Sequence, residues 1–182
     1  MGLLLSWIEK GNMTCPTRPP DGNKGEGDSA GGPAPERARD PGWPTIVIEA
    51  GVSETLNKLR ETMEWWFATS HHQVKIVLLV KIVPSERTIF LEKWIEAPVH
   101  EPRGGAITRA AARVRPNLDQ VIVLSNPTMS YDPATFVVHR GALRLEFDLL
   151  FLRQPGFGES DIILGIETLR EYAAIVWSAQ IT

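Results

Sequence analysis

The chain has 182 residues, 43% of them hydrophobic, and a formal net charge of −3. That length and apolar content suit one domain with its own core, and the slight acidity excludes a generic polyanion binder while still allowing a local basic patch. The single cysteine, Cys15, excludes an internal disulfide and a cysteine-based metal knuckle, and favours a reducing compartment.

Taken in chain order, Gly2 to Ile8 is too short to span a membrane and lacks a positive leader region and a cleavage site. The sequence therefore reads as a soluble intracellular protein, cytoplasmic or nuclear, with no membrane partner. On that reading the sequon Asn12-Met13-Thr14 is a chance match. Residues 1–42 form a Pro/Gly-rich segment expected to be largely disordered, because residues 11 to 44 hold too little apolar area to offset chain entropy. A single α/β domain is expected over 43–182.

Thr45 to Ala50 alternates as a strand, with Ile46, Ile48 and Ala50 on one face and Val47, Glu49 and Gly51 on the other. Ser53 is the expected N-cap of a helix whose Leu56, Leu59, Met63, Trp66 and Phe67 recur at helical spacing to about Thr69. Adjacent helix residues lie about 100° apart, so Trp66 belongs inside and Trp65 at the rim. Gln73 to Val83 is β-branched and nearly all apolar, as in a strand buried on both faces. Thr88 to Glu96 alternates as its hairpin partner.

Residues 97–117, rich in Pro, Gly and Arg, are expected to be a loop insertion. Strands follow at Gln120 to Ser125, Phe136 to His139, Ala142 to Leu152 and Asp161 to Leu164. A helix from Ile166 to Trp177 closes the chain and is expected to bury Ile166, Leu169, Tyr172, Ala173 and Val176.

Glu49 is the residue that demands an explanation. An unpaired carboxylate buried in so apolar a run costs several kcal/mol, so a metal ion, a cation or water at the strand end must hold its charge or its proton. Pairing with Lys75 or Lys81 is the structural alternative. Other polar groups are weaker signals. His71-His72, His100 and His139 lack convergent ligands at metal spacing. Arg103, Arg109, Arg113 and Arg115 read as a solvated loop unless they meet phosphates. Ser53 lacks the G-x-S-x-G setting of a hydrolase nucleophile.

The run W-P-T-I-V-I-E-A-G-V-S-E-T-L, the helix ending in Trp65-Trp66, V-K-I-V-L-L-V-K-I and Glu92-Lys93-Trp94 together resemble a group of uncharacterised fungal proteins. R-G-A-L-R-L-E-F-D-L-L-F-L-R and the closing L-R-E-Y-A-A-I-V-W extend that likeness. The order strand with Glu, turn, helix, long apolar strand and hairpin strand also resembles the restriction-endonuclease-like, or PD-(D/E)XK, superfamily, including the bacterial Uma-type restriction endonucleases. The resemblance implies a mixed β-sheet core with flanking helices, extra C-terminal strands and a C-terminal helix.

It further implies a metal-dependent nuclease centre, in which an Asp and a Glu hold Mg²⁺ and a Lys orients the attacking water. On that pattern Glu49 takes the Glu position and Asp28 the Asp position, with Asp21 behind it. Gly51 stands where the lysine is expected, so Lys58 or Arg60 on the helix would have to supply the positive charge. In the Uma-type pattern that helical lysine falls near Met63. Thr45 stands where the bacterial pattern has Asp, and Thr62 where the fungal relatives often carry an acid. Two expectations follow: a degenerate Mg²⁺-dependent nucleic-acid phosphodiesterase, or a non-catalytic protein-interaction module that retains the fold without the chemistry.

Overall fold

The structure is a computed structural model, and it describes residues 7–10, 14–15, 25–37, 42–98, 114–128 and 130–179. Asp21, His100, Arg103, Arg109, Arg113 and the sequon Asn lie outside the described residues.

A seven-stranded mixed sheet forms the frame. Strand β1 (Trp7–Glu9) precedes two short strands, β2 (Thr14–Cys15) and β3 (Gly25–Glu26), which pair only with each other. Then come β4 (Ser29–Pro33), β5 (Ile46–Gly51), helix α1 (Leu56–Thr69), β6 (Ile76–Val83), β7 (Thr88–Pro98), β8 (Val114–Ser125) and β9 (Val137–His139). The sheet order is β1-β4-β5-β6-β7-β8-β9. Only β5 and β6 run parallel, and α1 makes the crossover that a parallel pair requires. The chain ends with β10 (Leu143–Leu145), the short helix α2 (Phe147–Phe151), β11 (Ile162–Leu164) and helix α3 (Ile166–Ala179), with β10 and β11 forming a separate ribbon.

Both faces of the sheet are covered. Leu59, Met63, Trp66 and Phe67 of α1 pack on Val47, Val77 and Leu79. On the opposite face Phe147, Leu150 and Phe151 of α2 pack on Ile46 and Ile76, while Leu169, Ala173 and Trp177 of α3 join Leu78, Val80, Leu91 and Ile122. β6 sits between these layers with Ile76 to Val80 all buried, which is why its sequence runs apolar without alternation.

Several elements differ from the sequence expectation. β4 reads S-A-G-G-P, a composition assigned to loop, yet it pairs with both β1 and β5. Its small residues fit because the ring of Trp7 takes the space that a side chain at Gly31 would need. The expected loop at 97–117 is trimmed at both ends, since β7 runs to Pro98 and β8 begins at Val114. The expected strand Ala142 to Leu152 is split into β10 and α2. There Phe147, Leu150 and Phe151 bury one helical face, a spacing hidden inside an apolar run.

Helix α1 is capped by Thr55, whose hydroxyl accepts from Lys58 N at 3.2 Å, rather than by Ser53. Within α3 the buried face is Leu169, Ala173, Ala174 and Trp177, whereas Ile166 and Tyr172 are exposed. Leu169 and Ala173 are buried as expected and Val176 is partly buried against the same core, with Ala174 and Trp177 buried in place of Ile166 and Tyr172.

Candidate functional site

Helix α1 lies over two buried glutamates. Strand pairing aligns Glu49 of β5, Leu79 of β6 and Glu92 of β7 in one row across the sheet. Leu79 belongs to the α1-facing core, so all three side chains point under α1. Glu49 is 8% exposed and Glu92 is 3% exposed.

The two carboxylates are satisfied in different ways. Glu92 receives Arg60 in a bidentate grip, Nε to Oε2 at 3.0 Å and Nη2 to Oε1 at 2.5 Å, with Trp94 Nε1 adding a third donor at 3.0 Å. Glu49 receives an uncharged donor, Trp66 Nε1, at 2.5 Å on Oε1. Among the described residues no ion pair reaches Glu49. Lys75 donates to the His72 carbonyl and Lys81 to the Val52 carbonyl, so the expected pairing of Glu49 with either lysine is not formed.

A second acid is brought beside Glu49. Ser29 pairs with Ile48, and continuing that register carries Asp28 to the end of β5, where its Oδ2 accepts from Ala50 N at 2.7 Å. The preceding Gly27 makes the approach possible. A Cβ there would stand 2.9 Å from Val47 Cγ1 and 3.6 Å from Glu49 Oε1. Burial lifts the Glu49 carboxyl from 4.5 to about 7; the Trp66 N–H opposes the shift, and the negative charges of Asp28 and Glu54 add to it.

The expected cations are placed elsewhere. Lys58 is exposed and pairs with Glu61 at 3.0 Å one turn along α1, away from the acids. Arg60 is committed to Glu92. Position 51 has little room, because a Cβ on Gly51 would already lie 3.3 Å from Glu54 Cβ and from both δ carbons of Leu59. Thr45 is fully buried and donates to the Leu150 carbonyl at 2.8 Å, fastening α2 to β5 in place of a ligand. Thr62 Oγ1 turns back to the Lys58 carbonyl.

Sequence reasoning considered Lys81 only as an ion-pair partner. Its position is more specific: it stands opposite Gly51 in the parallel pair and reaches across to Val52. The signal was its separation by two residues from Leu79, which puts both on the face of Glu49.

Asp28 and Glu49 are hard oxygen donors, the kind a small divalent cation takes one or two at a time while keeping several waters. The excess negative charge around the raised Glu49 carboxyl is what such an ion would relieve. No cluster of three or more His, Cys, Asp or Glu suited to a metal occurs among the described residues. That holds for carboxylate sites as for nitrogen and sulfur ones: Asp28 and Glu49 are two acids without a third convergent ligand among the described residues.

The fold and the acid pair define a mixed α/β protein with a seven-stranded sheet and a buried carboxyl under its crossover helix. No family model matches the chain, and the comparison with curated proteins found no match. No helix among the described residues is long and apolar enough to cross a membrane.

Proposed function

We propose that this chain is a degenerate Mg²⁺-dependent nucleic-acid phosphodiesterase of the restriction-endonuclease-like kind. One observation carries the reading: Asp28 caps Ala50 N, one residue beyond buried Glu49, near enough for its charge to add to the raised Glu49 carboxyl, and no ion pair among the described residues answers Glu49. Such a pair would hold the metal through Asp28 and Glu49, with Lys81 the cation on the neighbouring strand. Bound Mg²⁺ would supply Lewis-acid polarisation of a phosphoryl oxygen. The chain's own contribution is to fix the two carboxyls, through Ala50 N and Trp66 Nε1, with Glu49 buried beneath α1 and Asp28 open to solvent.

The reading is of a degenerate centre because the lysine position is Gly51, packed against Leu59, and because Arg60 is spent on Glu92. Those two observations favour a second reading, a non-catalytic interaction module that keeps the fold and has lost the chemistry. Thermal unfolding with and without Mg²⁺ or Mn²⁺, on wild type and Glu49→Gln, separates them. A ligand that binds only the folded state stabilises it by about 2.7 kcal/mol at a hundred times its dissociation constant. A metal-induced rise in wild type that disappears in Glu49→Gln is the expected result and leads to cleavage assays on DNA and RNA. No rise in a cooperatively folded wild type leaves the interaction module.

A further inference from the structure

We draw no further inference here: the strongest candidate, the surface turn at 155–158 between α2 and β11, where the paired Arg153 and Glu159 brace a fully exposed Phe157 ring, carries nothing because nothing among the described residues shows what covers that ring.

Discussion

Glu49 shows how a single side chain takes its chemistry from its surroundings. Its carboxyl is lifted to about 7 chiefly by burial, so the folded protein binds this proton more tightly than the unfolded chain, where the value is 4.5. Below 4.5 both states hold the proton and the effect is neutral. As pH rises from 4.5 to 7 the unfolded state gives up its proton while the folded state keeps it, so stability falls, and above 7 the loss is complete. Glu49→Gln removes the titration and keeps an oxygen for the Trp66 N–H. We expect the variant, in metal-free buffer, to be more stable than wild type by roughly 1–3 kcal/mol at pH 8 and nearly equal to it at pH 4. Urea midpoints at the two pH values measure this. A variant less stable than wild type at pH 8 would mean that an opposite charge holds the carboxylate. Added Mg²⁺ should reverse the order, which ties this prediction to the proposed metal site.

At the scale of elements, β7 anchors a different charge on each face. Glu92 points under α1 to Arg60, while Lys93 points to the other face with its side chain fully buried. Its ammonium contacts Glu146 at 2.8 Å and Asp119 at 2.7 Å. The register between β7 and β8 shifts at Lys93, passing over Asp119, and such a bulge re-aims a side chain that regular pairing would send to the opposite face. Lys93 thus clasps β7, β8 and the turn from β10 into α2. Lys93→Met should cost about 3 kcal/mol, the low end for breaking a buried pair, because Asp119 and Glu146 keep some solvent. Chemical denaturation measures the loss, and a neutral result would show that the clasp contributes only specificity. The sequence displayed Glu92-Lys93-Trp94 plainly, yet neither partner could be read from it. Arg60 lies on another element, and Asp119 arrives only through the bulge.

For the whole molecule, β6 is the joint between two cores. Its Val77 and Leu79 belong with α1 and Trp66, and its Leu78 and Val80 with α3 and Trp177. Neither core can open without exposing the same strand. Unfolding by urea should therefore be one transition, with tryptophan fluorescence and far-UV circular dichroism coinciding. Two resolved transitions would show that the α1 and α3 faces are independent.

The strands and the helix from residue 45 to 96 were legible because their residue pattern is periodic in the sequence: alternation in β5 and β7, a 3.6 spacing in α1 and an unbroken apolar run in β6, although β7 proves buried on both faces. The candidate acids were legible as types, an acid in an apolar strand and another before a glycine pair. Their placement near one another was not, since it depends on β4 pairing beside β5, and a strand of S-A-G-G-P carries no propensity signal, its Gly31 leaving the space that the Trp7 ring fills. The sequence by itself determined which segments could be buried, because burial is a property of each side chain and its spacing. Only the tertiary structure decided which charges answer one another: Arg60 for Glu92, Asp119 for Lys93, and a neutral indole for Glu49. Those pairings join residues far apart in the chain, at distances set by strand register and by one bulge.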